Sequence, residues 1–515
     1  MAYSTFAAID VGSNELTMKI YQVSKKDGIQ ELDCVRHTIE LGSESYRHGK
    51  ISHQTIHEVC LILNDFQSKM KEYKVTDYTA YATSAIREAS NNILLLDQIK
   101  LETGIKVKIV SNSEQRFLSC RALSLKEDSF ARLIEKGAVI VDIGSGSIQL
   151  TLFDHSSLIA TQNIRLGSIR IRDMLSSMED QAEDFQNVIK EYIYNDIETF
   201  RHFYLENRKI DNIICIGERL HGLSYYLKPS EEKEGSSESI SQARFEKIFQ
   251  HISNAKQNEL CEELGISKEQ VSLLLPTALI YRLVFKACNA KNMWSSGVTL
   301  CDGIVEEFAE RKEKLLPKHS FTEDIVSASR NIALRYCCNM NHSKNVEYLA
   351  LKLFDSIRRY HGLGKRERLL LQIAVILHNC GEFVNMNAVA DNSYHIVLST
   401  EIIGLSHAER EIVANITRYD YATFPKYNHD IHGLSQETYI KLSKLIAIMS
   451  VANILDKSHR QKISDVSMTL KDKVLTIRAN TLEDITLEKG LLCKPAAFFE
   501  NVFGIQLVLT KKRGK

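Results

Sequence analysis

The chain has 515 residues, enough for about three domains of ordinary size and a large buried core. Lysine plus arginine equals aspartate plus glutamate at 65 each, so no net field draws the molecule to nucleic acid or an anionic membrane, and any anion site must be made locally. The eleven cysteines show no Cys-x-x-Cys spacing and fit reduced core thiols; without a signal-peptide pattern or an apolar run of bilayer length, the reading is cytoplasmic, with no membrane and no nucleic-acid partner.

In chain order, residues 1 to about 125 alternate short apolar strands with helical patterns, which is an α/β signal. The first strand, Ala7-Ala8-Ile9, delivers Asp10 to a turn, Val11-Gly12-Ser13-Asn14. A second cycle begins at Gly137, where Val139-Ile140-Val141 delivers Asp142 to Ile143-Gly144-Ser145-Gly146-Ser147. In each copy the Asp would hold a divalent cation through oxygen or water. The glycine lets the backbone bend so that N–H groups, with the Ser or Asn side chains, take phosphate oxygens. Taken singly, Asp-x-Gly-Ser is also an ordinary tight turn. The repeat at matched strand ends points to one phosphate chain clamped between two half-domains.

The second cycle continues with a pairing strand, Ile148 to Phe153, long helices from about Glu179 to Asn207, and a strand Asn212 to Ile216. Residues 229 to 239 are Ser/Glu-rich and read as a mobile surface loop. Helical patterning returns over Glu246 to Leu264 and, after Pro276, over Thr277 to Asn289. The helix after Val298-Thr299-Leu300 is expected to close the second half-domain. Around Glu310 to Lys318 a charged stretch marks the best domain boundary, and residues 324 to about 462 read almost entirely as helix. Val466 to Leu470, Val474 to Arg478 and Phe503 to Leu509 then alternate like strands. The expected division is 1–125, 126–312, 320–462 and 463–515.

Several motifs, in order, resemble the exopolyphosphatase and guanosine pentaphosphate phosphatase (Ppx/GppA) family, whose fold belongs to the actin, hexokinase and Hsp70 superfamily. They are Ile9 to Asn14, Ala82-Thr83-Ser84-Ala85-Ile86-Arg87-Glu88-Ala89, Ile109 to Glu114, Val141 to Ser147, and Leu166-Gly167-Ser168. The resemblance implies a duplicated actin-like (ribonuclease H-like) ATPase fold, an all-α HD-like domain, and a small α+β C-terminal segment. It implies a magnesium-dependent exopolyphosphatase that hydrolyses the terminal phosphoanhydride of inorganic polyphosphate. The alternatives are a guanosine pentaphosphate 5′-phosphatase, or a weakly catalytic regulatory protein that binds polyphosphate or an alarmone; a homodimer goes with either.

By the same resemblance Asp142 would organise the magnesium and Asp10 support it, while Gly12, Ser13, Asn14, Gly144, Ser145, Gly146 and Ser147 would cradle phosphates. Arg87 would give a terminal phosphate a planar charged fork, its alternative being an ion pair with a Glu on the same helix. Glu114 matches the general base that takes a proton from the attacking water; without the resemblance it reads as an ordinary helix-start Glu. The chain also departs from the family. Gln149 stands where a carboxylate is usual, Glu15 where a small Ser is usual, Gln115 for a second Glu, and Asn112 for a Gly, a mild exchange because Asn tolerates a left-handed turn. Gly217-Glu218-Arg219-Leu220 makes a poor floor for a nucleotide base. In the helical region His378-Asn379 replaces the His-Asp pair of a metal-dependent phosphohydrolase, and His361, His395, His407 and Asp420 are the remaining candidates for a degenerate site.

Overall fold

The computed structural model describes residues 3–126, 129–175, 185–216, 223, 226, 239–313, 319–427 and 434–511. The chain divides into two compact units, Met1–Phe321 and Thr322–Lys515. Residues 217–222 and 229–238, which carry the Gly217 turn and nearly all of the Ser/Glu-rich loop, lie outside the described residues.

The first sheet is built from β1 (Ser4–Val11), β2 (Glu15–Ser24), β3 (Gly28–Thr38), β4 (Asp77–Ala82) and β5 (Val107–Ile109), in the order β3-β2-β1-β4-β5. β1 to β3 form an antiparallel meander, and β4 and β5 add in parallel beside β1. Around them run α1 (Leu41–His48), α2 (His53–Glu72), α3 (Ser84–Glu88), α4 (Asn92–Thr103) and α5 (Asn112–Lys126). α2 starts where the Ser52 side chain accepts a hydrogen bond from Thr55 N, and it buries Ile56, Val59, Cys60, Leu63, Phe66 and Met70, one helical face. That face packs into one cluster with Ile9, Met18 and Ile20, each such side chain contributing about 1.5–3 kcal/mol when fully buried.

After α6 (Phe130–Glu135), the second sheet repeats the scheme with β6 (Ala138–Ile143), β7 (Ile148–Asp154), β8 (Ser157–Ile164), β9 (Asn212–Ile216), β10 (Ser239–Ser241) and β11 (Asn292–Ser295), in the order β10-β11-β9-β6-β7-β8. β6 to β8 are the antiparallel meander, β9 and β11 the parallel additions, and β10 an extra antiparallel edge. β11 carries no sequence alternation and was not expected. The intervening helices are α7 (Ser168–Leu175), α8 (Phe185–Phe200), α9 (Gln242–Asn254), α10 (Gln257–Leu264), α11 (Lys268–Ser272) and α12 (Leu274–Cys288). α12 begins before Pro276, which sits in its first turn where no intrahelical N–H bond is lost. The expectation that no apolar run reaches bilayer length needs correction. Lys268–Cys288 is long and apolar enough, but 72% of its most apolar 18-residue window is buried, in the core against the second sheet.

Helix α13 (Leu300–Glu313) does not close the second half as its place in the chain suggests. Its apolar face, Ile304, Val305 and Phe308, joins Phe6, Ala8, Tyr21 and Val23 of the first sheet, with the Phe6 and Phe308 rings stacked at 4.1 Å. Lys19, fully buried on β2, pairs with Asp302 at 3.5 Å and Glu31 at 3.2 Å, and Tyr21 donates to Asp302 at 2.9 Å. Arg121 of α5 adds bonds to Glu306 and Glu310.

The remaining unit is helical: α14 (Phe321–Arg335), α15 (Met340–Ser356), α16 (Arg358–His361), α17 (Lys365–Leu377), α18 (Val389–Ser399), α19 (His407–Arg418) and α20 (Gln436–Ile454). α15, α17 and α20 pack on one another and supply its most buried side chains. A small sheet, β12 (Val466–Lys471), β13 (Val474–Ala479) and β14 (Gln506–Lys511), follows in that order, with α21 (Thr486–Leu491) and α22 (Cys493–Phe503) inserted before β14. β14 starts later than the alternation predicts, because α22 runs on to a left-handed Gly504 at φ 64°.

Candidate active site

Asp10 and Asp142 end equivalent central strands, and the same bond closes both turns. Gly12 N–H donates to Glu15 O at 3.0 Å, and Gly144 N–H donates to Ser147 O at 2.9 Å. These two amides are therefore committed to the turns and do not face an anion, contrary to the sequence expectation. Nor is left-handed backbone the reason for glycine, since none of Gly12, Gly144 and Gly146 has a positive φ. At Gly12 the reason is space: a Cβ would lie 2.6 Å from Glu15 O. At Gly146 it would lie 2.3 Å from the Tyr46 hydroxyl, whereas at Gly144 the nearest atom is at an ordinary 3.4 Å.

Asp10 feels the charge of Asp142 on the other half-domain. Burial, then the charges of Glu15 and Asp142, pushes Asp10 up to about 7. Burial pushes Asp142 up to about 6, against the lowering effect of Arg116 on α5. Asp10 Oδ1 is buried without a hydrogen-bond partner, and so is Oε1 of Gln149, which lies directly opposite Asp142 in the β6–β7 ladder. An unpartnered buried oxygen costs free energy, and a set of such oxygens beside two carboxylates fits a hard divalent cation. Glu15 is turned toward the β2–β3 ladder, accepting from Thr17 Oγ1 at 2.9 Å with Arg36 at 3.6 Å.

Ser13 is drawn into a triangle of hydroxyls. Its Oγ lies 2.9 Å from Tyr46 Oη and 2.9 Å from Ser84 Oγ, those two lie 2.8 Å apart, and Ala85 N donates to Ser13 Oγ at 3.1 Å. Asn14 contributes its backbone carbonyl to Ile39 N, and Ser145 its carbonyl to Ile169 N and Arg170 N, so the second turn abuts the start of α7. Ser147 is buried at the end of the same turn. Sequence patterning missed Tyr46, Ser84's place in the triangle, Arg116 and Arg170, because the contacts that matter join distant segments.

At the β5–α5 corner, Ser111 Oγ accepts from Glu114 N at 3.2 Å and Glu114 Oε2 accepts from Ser111 N at 3.0 Å, a reciprocal cap that fixes the carboxylate at the helix start. Arg87 is not a free fork. Its Nη1 donates to Val110 O at 2.7 Å and its Nη2 to Asn112 Oδ1, so it grips the corner that carries Glu114. Asn112 opens α5 with no positive φ, so the left-handed turn it would tolerate is unused.

In the helical unit the four expected partners of His378 are elsewhere. His361 is satisfied by Phe354 O and Leu363 N, His407 lies at the surface beside Glu411, Asp420 caps a turn through Ala422 and Thr423, and His395 packs on Tyr394. His378 instead meets His342, with ring centroids 5.4 Å apart, and His342 stacks on His459 at 3.6 Å and pairs with Asp456 at 2.9 Å. His378 Nδ1 bonds Val375 O at 2.6 Å, and burial followed by the neighbouring His342 pushes it down to about 4. Among the described residues no three His, Cys, Asp or Glu side chains form a metal-binding group.

The sequence matches the Ppx/GppA phosphatase family over residues 20–312 and domain III of that family over residues 326–494. The chain belongs to the Ppx/GppA phosphatase family. Members of the Ppx/GppA family are phosphatases that act on phosphoanhydride bonds. A relative named guanosine-5'-triphosphate,3'-diphosphate pyrophosphatase, from Vibrio atlanticus (strain LGP32), is 20% identical over 452 residues, 86% of each chain. An exopolyphosphatase structure from Cytophaga hutchinsonii covers 60% of this chain and 98% of its own at TM-score 0.53 and 18% identity. An Aquifex aeolicus Ppx/GppA family member covers 62% and 100%, at TM-score 0.50 and 18% identity. This Ppx/GppA chain accordingly has the duplicated actin-like fold, followed by a helical C-terminal region.

Proposed function

We propose that this Ppx/GppA phosphatase removes the terminal phosphate from inorganic polyphosphate, releasing orthophosphate. The observation that carries the reading is the buried pair Asp10 and Asp142 at equivalent strand ends, with an unpartnered Asp10 oxygen between two hydroxyl-lined turns. Asp10 and Asp142 would hold magnesium, helped by the Gln149 amide oxygen. A cation held by them would supply charge neutralisation at the phosphate oxygens. Ser13, Ser145 and Ser147, with the backbone of Asn14 and Gly146, position the chain end.

Glu114 takes a proton from the attacking water. Its Oε2 is held by Ser111 N, which fixes where Oε1 points, and Arg87 acts as a positioning residue through Val110 and Asn112. The homodimer and the cytoplasmic location belong to this reading.

A second reading, 5′-phosphate removal from guanosine pentaphosphate, is favoured by the name of the Vibrio relative and its coverage of 86% of the chain. The test is orthophosphate release from long-chain polyphosphate and from guanosine pentaphosphate, with magnesium, for wild type and Glu114→Ala. A loss of about 10²–10⁴-fold in Glu114→Ala is expected. Unchanged release would remove Glu114 from the role of base. Release from guanosine pentaphosphate alone would select the second reading, and polyphosphate binding without release from either would make the protein a sensor.

A further inference from the structure

Tyr46 reaches from α1 into the space between the two turns. Its hydroxyl bonds Ser13 at 2.9 Å on the first turn and Ser84 at 2.8 Å, while Gly146 of the second turn is so close that a Cβ there would lie 2.3 Å from the same oxygen. Gly42 is shaped to the ring in the same way: a Cβ there would meet Tyr46 Cε2 at 2.9 Å. The ring also carries the Arg170 guanidinium at 4.4 Å. Arg170 in turn donates to Gly146 O at 3.1 Å and to Glu88 at 2.6 Å, joining α7 of the second half to α3 of the first. Beside it, Arg47 makes a bidentate pair with Asp173, both contacts at 3.0 Å, and Arg172 donates to Ser43 at 3.0 Å. The lips of the cleft are therefore drawn together around one phenol. Burial raises the Tyr46 pKa, so the hydroxyl is neutral and protonated at physiological pH.

We propose that Tyr46 is a displaceable plug that sets which anions enter the phosphate cradle, its hydroxyl standing in the oxygen position between Ser13 and Gly146. The inference rests on the reading of the two turns as a phosphate clamp. A neutral phenol oxygen satisfies Ser13 and Ser84 but brings no charge to the carboxylates' cation. An anion that bonds the same hydroxyls and also meets a cation held by Asp10 and Asp142 outcompetes it. A weakly charged or bulky anion does not. Tyr46 thus raises the threshold for binding and selects the end of a phosphate chain.

The experiment is calorimetric titration of the full chain with inorganic phosphate in magnesium, for wild type, Tyr46→Phe, Tyr46→Ala and Glu88→Gln, alongside steady-state kinetics on polyphosphate. Losing the plug's two hydrogen bonds, each worth roughly 1 kcal/mol net, should tighten phosphate binding roughly thirtyfold in both Tyr46 variants. Glu88→Gln, which loosens Arg170, should do so by less. KM should fall while kcat holds. Tyr46→Phe keeps the ring in its slot and guards against misfolding as the explanation. Weaker phosphate binding in Tyr46→Phe would overturn the plug and make the hydroxyl a ligand; unchanged binding, or none in any variant, would also overturn it. Glu114-dependent release without tighter binding in the variants would sink the plug and leave the hydrolase. Tighter binding with no release from wild type would do the reverse.

Discussion

In the α/β unit burial pushes Asp10 up to about 7 and Asp142 up to about 6, while in the helical unit it pushes His378 down to about 4 and lowers His459 as well. The same desolvation acts on opposite chemistries, driving Asp10 and Asp142 in one unit and His378 and His459 in the other toward their neutral forms. What surrounds them differs. Beside the carboxylates, Asp10 Oδ1 and Gln149 Oε1 lack hydrogen-bond partners, so the site is a set of oxygens that gains by receiving a cation. The helical cluster contains one carboxylate, Asp456, which is already bonded by His342 and by Gln461 N at 2.7 Å, and Asn379 supplies no anion. Each cluster leaves buried polar atoms unpartnered, Asp10 Oδ1 and Gln149 Oε1 in the first and His342 Nε2 and His378 Nε2 in the second, but only the first offers two carboxylates to a cation.

The contrast is broken most strongly at Asp142. Asp142→Asn should cut phosphate release by about 10²–10³-fold. The same change should raise the melting temperature in chelator, because a desolvated carboxylate is removed; a lowered melting temperature would mean that Asp142 is structurally supported rather than held ready for a cation.

Next in size is an acid effect confined to the helical unit. The folded-state value of His378 lies below its ordinary 6.5, so the unfolded chain binds the proton more readily. Stability is therefore full above about pH 6.5 and falls as pH drops toward 4, by about 3 kcal/mol in all. His342, His459 and Asn453 act on it, and His459, also lowered by burial, adds in the same direction. The single tryptophan, Trp294, lies in the second sheet, so far-UV circular dichroism should lose helix on acidification before tryptophan fluorescence changes. Simultaneous transitions, or unchanged behaviour in His378→Leu, would contradict this.

The smallest effect sharpens the cation side. Gln149→Glu places a third carboxylate opposite Asp142 and should lower the magnesium needed for half-maximal activity, by roughly tenfold. Reduced activity would show that the amide belongs to a rebuilt site.

Much of the fold could be read from the sequence because its strongest signals are local. Val139-Ile140-Val141 and Ala7-Ala8-Ile9 are central strands buried on both faces, and such strands are continuous apolar runs ending at the residue they present. The helical unit announced itself through apolar spacing. The carboxylates and turns followed from the same local pattern, but the reason for Gly146 did not, since it is a contact with Tyr46, 100 positions away. The histidine cluster shows the same limit: His342 and Asp456 are 114 residues apart, and no spacing links them. His361, nearer to His378 in sequence, is occupied by its own turn.

Helix α13 has a consequence for how the protein is made. The first sheet comes from the earliest part of the chain, yet its core lacks Ile304, Val305 and Phe308 until some 300 residues have been synthesised. Asp302 joins Glu31 as a partner of Lys19 only when α13 is in place. The core of the amino-terminal sheet is completed only when α13 packs on it. Without α13 the Phe6 and Tyr21 surface is uncovered, and aggregation of chains truncated before it should concentrate there.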